Sequence, residues 1–149
     1  MTKHEAIIEL AREQIAKGFP FRLTVYGSSM LPSIPSGSVV NVVQCAFDSL
    51  KLGDVVLFRS GGGFRCHRVI KELSGEGCAR FHTRGDFTLN EDAPLTEEMF
   101  IGRVSEVLTR AGAINLNSPV LRIYGRFAAA ASPLAGLLRR IKFKIINKL

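Results

Sequence analysis

The sequence predicts a mainly β domain with helices at its two ends. Fourteen glycines, together with many valines, isoleucines and phenylalanines, favour strands joined by tight turns. A chain of 149 residues makes one domain the default and is long enough to bury a core. Alternation of apolar residues and the turn residues between them predict six strands. We expect these strands at Phe21–Tyr26, Val39–Gln44, Val55–Arg59, Phe64–Leu73, Cys78–Thr83 and Phe100–Leu108.

Helical patterns occur at both ends of the chain. Thr2 and Glu5 fit a capping box, and Gly18 with Pro20 ends the first helix. Its apolar residues recur at helical spacing: Ile7, Leu10, Ala11 and Ile15. Near the other end, residues 120–131 and 134–149 have helical patterns that Pro133 separates. We therefore divide the chain into an amphipathic helix (1–20), a β-rich domain (21–110) and a basic, partly helical tail (111–149).

The positive charge of the chain is concentrated in the tail. The net charge is +7, but residues 107–149 carry eight basic residues and no acidic one. The rest of the chain therefore sums to about −1. A basic tail can meet anionic lipid, nucleic acid or an acidic protein. We expect an anionic membrane surface as a possible partner of the tail, with its apolar residues on one helix face, and we expect no nucleic-acid partner.

Cysteine usage and hydropathy indicate the compartment. Cys45, Cys66 and Cys78 are an odd number without C-x-x-C spacing, which argues against a disulfide framework and a zinc site. The longest strongly apolar run in the tail, residues 127–138, is twelve residues long, whereas a spanning helix needs about 20. We expect no signal peptide and no transmembrane helix, and a cytoplasmic or peripherally membrane-associated protein.

A candidate nucleophile lies in the stretch Gly27-Ser28-Ser29-Met30-Leu31-Pro32. Pro32 fixes its own φ and disfavours helix at Leu31, so Ser29 should lie on a rigid turn between two strands. A serine hydroxyl is a weak nucleophile at neutral pH and needs a base within hydrogen-bond reach. Ser28 is the neighbouring alternative, and a purely local turn is the other interpretation of this stretch.

Later segments contain a candidate base and two candidate acids. His67 is the candidate general base, because imidazoles titrate near neutrality and can both take and return a proton. Asp86 and Asp92 compete as the acid that would orient it. His82 is a weaker candidate base, and His4 belongs to the first helix. A serine, a histidine and an acid from separate segments are the parts of a serine-protease relay.

The order of these motifs resembles the type I signal peptidases. The motifs are S-M-x-P at Ser29, G-D-V-V-x-F from Gly53, H-R-V-I from His67 and T-(K/R)-G-D ending at Asp86, and the resemblance covers about residues 22–105. The resemblance is to the signalase type, which has His where most bacterial enzymes have Lys. It implies a coiled β-sheet peptidase domain of the signal-peptidase and repressor-peptidase kind, with serine endopeptidase activity and no metal or cofactor.

The resemblance also implies roles for individual residues. It selects Ser29 over Ser28, because the nucleophile directly precedes Met, and it makes both acids important. We favour Asp92 as the partner of His67 and Asp86 as a loop-fixing residue paired with Arg68 or Arg84. The Ser29 backbone N–H would serve as oxyanion donor.

The sequence departs from the family at three places. Gly27 stands where many members have a second oxyanion hydroxyl, and Phe87 stands where Asn is frequent. Residues 1–20 have the pattern of an amphipathic helix where the family usually has a membrane anchor, so we expect no anchor there.

Substrate expectations and two rival functions follow. The family implies a peptide or precursor-protein substrate bound along a sheet edge, with small residues before the scissile bond. One rival is a repressor-type self-cleaving domain, which uses a lysine base and needs a cleavable segment upstream of the serine. The other rival is a non-catalytic binding module that uses the basic tail. A Ser29–His67 distance far outside hydrogen-bond reach would favour the binding module.

Overall fold

The computed structural model describes residues 3–73 and 80–130. Its elements, in chain order, are α1 (Lys3–Ala16), β1 (Phe21–Val25), β2 (Ser38–Val43), a 3₁₀ turn (Phe47–Ser49), β3 (Val55–Ser60), β4 (Gly63–Leu73), β5 (Arg80–Arg84), β6 (Phe100–Thr109) and β7 (Gly112–Asn115). Residues 119–130, here α2, are helical up to the last described position. The predicted mainly β fold with flanking helices is confirmed.

The strands form one antiparallel sheet in the order β1-β2-β6-β3-β4-β5, and β7 pairs with β6. The predicted strand bounds agree with the observed ones to within one or two residues wherever the chain is described. The sequence pattern missed β7, which extends the sheet beyond residue 110, where we placed the end of the β-rich domain. It also missed the 3₁₀ turn, which contributes Phe47 to the core.

Two hydrophobic clusters stabilise the sheet, and β3 contributes to both. Val55 and Leu57 join the cluster under α1, while Val56 and Phe58 join the cluster around Phe81. Side chains alternate along a strand with period two, so a strand buried on both faces reads as a continuous apolar run. The central position of β3 therefore explains its run of four buried residues.

Helix α1 packs on the first cluster through a face slightly different from the predicted one. Ile8, Ala11 and Ile15 are buried, whereas Leu10, one of the residues of the predicted apolar pattern, is 58% exposed. The spacing 8, 11 and 15 defines one helical stripe, and Leu10 lies beyond its edge. The helix approaches β6 at Gly102, where an added Cβ would lie 2.7 Å from Val42 Cγ1. The same Cβ would lie 2.8 Å from the Val43 carbonyl oxygen, so a side chain at this position would press on β2, while Ile15 of α1 lies at an ordinary contact distance of 3.4 Å.

Membrane-spanning potential is lacking in the described helices. Within residues 3–73 and 80–130, each helix is too short or too polar to cross a bilayer. The predicted helix at 134–149 lies outside the described residues.

Candidate active site

The loop that carries Ser29 connects β1 to β2 and is anchored at both ends. Gly37 N–H donates to the Val25 carbonyl over 2.8 Å, which closes the loop. Met30 and Ile34 are buried, and Ile34 N–H donates to the Met30 carbonyl over 2.9 Å. Because the next residue, Met30, is buried in the core, the backbone at Ser29 is fixed, while the Ser29 side chain remains partly accessible.

His67 lies in the middle of β4, with its ring edge toward the Phe58 ring. Its Nε2 is 3.1 Å from Ser29 Oγ, and its Nδ1 is 2.6 Å from Asp92 Oδ2. The imidazole is buried, with 7% of the residue exposed. One ring nitrogen therefore faces the hydroxyl while the other faces a carboxylate, which is the arrangement that a histidine base needs.

Asp92 is held by more than His67. Thr83 Oγ1 donates to Asp92 Oδ2 over 2.7 Å, and Arg65 donates to Asp92 Oδ1 over 2.8 Å. The Asp92 N–H also donates to the Thr83 carbonyl over 2.8 Å, which returns the loop after β5 to that strand. Burial works to raise the pKa of Asp92, but the hydrogen bonds from His67 and Thr83, with Arg65, lower it on balance. Asp92 thus remains an anion beside the imidazole at neutral pH.

Asp86 belongs to a separate buried ion pair. Arg68 donates through Nε to Asp86 Oδ1 and through Nη2 to Oδ2, each over 2.7 Å, and Ser33 Oγ also donates to Oδ2. The same guanidinium donates to the Gly53 carbonyl over 2.8 Å. Both oxygens of Asp86 are therefore engaged by Arg68 and Ser33, and the structure does not bring Asp86 to His67.

Backbone contacts fix the serine against the loop that follows β5. Phe87 N–H donates to the Ser29 carbonyl over 2.8 Å. A Cβ added at Gly85 would lie 3.0 Å from Ser29 Cβ and closer still to its carbonyl oxygen. Only glycine allows this approach, so the R-G-D segment positions the nucleophile through its backbone as well as through Asp86.

The candidate oxyanion donor is available within the described part of the chain. There, the Ser29 backbone N–H donates to no protein acceptor. Gly27 has φ +108°, a left-handed conformation that favours glycine, and its N–H donates to Ser36 Oγ over 3.1 Å. Gly27 thus serves the turn geometry and supplies no side-chain donor.

The remaining candidate residues lie apart from this arrangement. His82 Nδ1 is 3.1 Å from Glu91 Oε2, and His4 is exposed on α1. Cys45 and Cys66 are free, and burial raises the pKa of the Cys66 thiol to about 12. Among the described residues no group of three or more His, Cys, Asp or Glu side chains could hold a metal ion.

Sequence reasoning missed Arg65, Thr83 and Ser33 as partners of the two carboxylates. Arg65 could have been found, since it is two residues before His67 on one strand and therefore on the same face. Thr83 opens the T-R-G-D motif, but its bond to Asp92 depends on how the loop folds back.

Comparison with known proteins places the chain in a peptidase family. Residues 2–104 match the family described as Peptidase S24-like, so the chain belongs to that family. The matched segment includes Ser29, His67, Asp86 and Asp92. A search of curated proteins finds no match.

Proposed function

We propose that the protein is a serine endopeptidase of the signal-peptidase-like, signalase type, with Ser29, His67 and Asp92 as its relay. The observation that carries this proposal is the continuous chain of hydrogen bonds from Ser29 Oγ through the imidazole to Asp92. The Peptidase S24-like family supports a serine peptidase or a self-cleaving repressor-like domain.

Each residue has a defined part in peptide-bond hydrolysis. His67 Nε2 takes the proton of Ser29 Oγ as the oxygen attacks the scissile carbonyl. The oxyanion of the tetrahedral intermediate accepts a hydrogen bond from the Ser29 N–H. The imidazolium then gives its proton to the leaving amine, and a water molecule, deprotonated by His67, hydrolyses the acyl-enzyme. Asp92 stabilises the imidazolium and holds its tautomer throughout.

Asp86 has a positioning part in this proposal. Its ion pair with Arg68 is buried and ties the loop after β5 to Gly53, the residue that begins the G-D-V-V-x-F motif. Because Gly85 and Phe87 on either side of Asp86 both touch Ser29, the ion pair acts on the nucleophile through the backbone. We assign Asp86 to loop positioning and Asp92 to the relay.

The substrate is an extended peptide that adds to β1. Within the described residues β1 pairs with β2 alone, so its other side offers unpaired backbone groups. When a peptide adds to such an edge as a further strand, its main-chain hydrogen bonds give affinity, and recognition of its alternate side chains gives specificity. Since β1 leads directly into the Ser29 loop, a peptide on this edge would reach the nucleophile. Family resemblance adds small residues before the scissile bond.

Self-cleavage is the second candidate, because the Peptidase S24-like family supports it. The contact between His67 and Ser29 argues for cleavage of other chains, since repressor-type domains use lysine as the base. Lys71, four residues along β4, is exposed and outside this contact. A non-catalytic module is disfavoured by the 3.1 Å separation of Ser29 Oγ and His67 Nε2.

A peptide-library digestion with product sequencing tests the proposal. The wild type and Ser28→Ala should cleave peptides at a rate proportional to enzyme concentration, whereas Ser29→Ala should be inactive. First-order disappearance of the intact protein, independent of its concentration, would assign self-cleavage instead. Cleavage of neither peptides nor the protein itself would overturn the proposal.

A further inference from the structure

The helix α2 docks on the domain through its small residues. Gly125 and Ala129 are buried, and Arg84 donates to the Ala129 carbonyl over 3.0 Å. A Cβ added at Gly125 would lie 2.9 Å from the Gly53 carbonyl oxygen and 3.0 Å from Arg68 Nη1. The helix therefore lies directly on the turn and the arginine that support the loop after β5.

The large apolar residues of α2 face away from the domain. Val120, Ile123, Tyr124 and Phe127 are 75%, 56%, 45% and 69% exposed, and we call them the α2 stripe. Their spacing of three and four residues puts them on one side of the helix. A surface helix normally buries its large apolar face and exposes its small or polar one, so α2 has the opposite arrangement. A contiguous exposed stripe of this kind indicates an interaction site.

Positive charge lies on the side of α2 that faces the turn before β3. Arg122 and Arg126 are exposed one turn apart on α2, and with Lys51 they line a cleft between the helix and the turn before β3. No ion pair among the described residues uses any of these three side chains. Asp54 also lines this cleft, and its carboxylate accepts the Lys51 backbone N–H over 2.9 Å. Residues 107–149 contain no acidic side chain to balance the cations.

We propose that α2 binds an anionic membrane surface, with the stripe in the acyl boundary and Arg122, Arg126 and Lys51 at the lipid headgroups. A helix with an apolar face and basic flanks lies in the interface plane, and its affinity combines apolar burial with attraction to anionic lipid. Lys51, Arg122 and Arg126 outnumber the single carboxylate of Asp54 at this cleft, and such an excess of cations favours lipid phosphates and phosphatidylserine headgroups over a protein partner. Because α2 rests on Gly53 and Arg68, bound membrane would orient the Ser29 loop relative to the bilayer.

A tryptophan scan tests which residues enter the bilayer. The chain has no tryptophan, so Phe127→Trp and Phe19→Trp each give a single reporter in the full-length protein. Phe19 is the matched control, since it is 62% exposed but follows α1. With phosphatidylcholine vesicles containing phosphatidylserine, Trp fluorescence from residue 127 should shift to the blue and be quenched by brominated lipid. Fluorescence from residue 19 should do neither.

Charge substitutions test the headgroup contacts. Arg122→Gln with Arg126→Gln should weaken binding to these vesicles roughly 20- to 30-fold at low salt, since each cation near an anionic surface contributes about fivefold. Arg59→Gln with Arg110→Gln removes the same net charge from exposed positions off α2 and should change binding far less. Wild-type binding should fall as salt is raised.

Three results would overturn the proposal. One is a folded wild type that ignores anionic vesicles at low salt. Another is vesicle binding during which the reporter at residue 127 stays in water, which would assign the binding to a part of the chain other than α2. The last is self-association that buries the reporter without vesicles, which would make the stripe a protein interface. None of these results depends on peptidase activity, so the proposed function is tested separately.

Discussion

Replacing Gly85 by alanine would place a methyl group against the nucleophile. The added Cβ would lie 3.0 Å from Ser29 Cβ and nearer to its carbonyl oxygen, whereas ordinary contacts begin at about 3.5 Å. Gly85 does not have a left-handed φ, so the substitution acts through this contact and not through backbone strain. Ser29 or the loop after β5 must therefore retreat by about 0.5–1 Å.

The retreat affects both catalysis and folding. Since the Ser29 carbonyl also accepts from Phe87 N–H, the two loops move apart together and Ser29 Oγ leaves its place at His67 Nε2. A displacement of this size costs about 100-fold in rate. Overpacking of this kind destabilises a protein by about 1–3 kcal/mol.

The assay is the rate of acylation by a serine-directed probe, followed by intact-mass spectrometry and paired with a urea unfolding curve. Gly63→Ala is the matched control, since an added Cβ there meets nothing within 4 Å and its φ is not left-handed. It should acylate at the wild-type rate. A folded Gly85→Ala protein that also acylates at the wild-type rate would refute the argument that this close approach positions Ser29.

Three other predictions address the charged groups and the relay. Ser29→Ala or His67→Ala should each lower kcat on a cleaved peptide by about 10³–10⁶, and the double variant little further, because the residues act as one unit; additive losses would contradict that unit. The pKa of Asp92 is lowered in the folded protein, so its carboxylate stabilises the fold at pH values above the ordinary carboxyl pKa of about 4, and this stabilisation is lost as pH falls through the folded-state pKa. The difference in unfolding free energy between wild type and Asp92→Asn should therefore narrow in acid. A difference that stays constant with pH would contradict this role of Asp92. Arg68→Met should lower the free energy of unfolding by urea by about 3–5 kcal/mol, because it leaves Asp86 buried and unpaired. Adding Asp86→Leu to this variant should restore part of the lost stability. Additive losses would show that the two side chains are not coupled.

The strands and the motif positions were predictable because their signals are local. Alternating apolar residues and glycine turns define β1 to β6 without reference to the rest of the chain. Ser29 before Pro32 and His67 inside a strand are equally local features. The order of the motifs then suggested that the two residues meet, although 38 positions separate them.

The residue pattern alone left the choice between Asp86 and Asp92 open, and only the family resemblance favoured Asp92 as the partner of His67. Both acids follow β5, and which one reaches His67 depends on the path of the loop. Asp92 N–H returns to the Thr83 carbonyl, and Phe81 pairs with Leu95, so the loop folds back along its own strand. These contacts form only in the folded chain.

The faces of the helices were the other part that local patterns could not decide. The apolar spacing of α1 included Leu10, but the helix packs through Ile8, Ala11 and Ile15 and leaves Leu10 exposed. In α2, a hydrophobic pattern alone would favour burial of Ile123 and Phe127. The close backbone approach at Gly125 instead turns the small face inward.

Mapping the acyl adduct to a single residue is the most direct test of the central claim that Ser29 is a nucleophile activated by His67. The proposed relay predicts that a serine-directed probe labels Ser29 in the wild type and in Ser28→Ala. It also predicts that Ser29→Ala takes up no label and that labelling of folded His67→Ala is slowed by about a thousandfold or more. A stable adduct on Ser28, or labelling of His67→Ala at the wild-type rate, would contradict the claim.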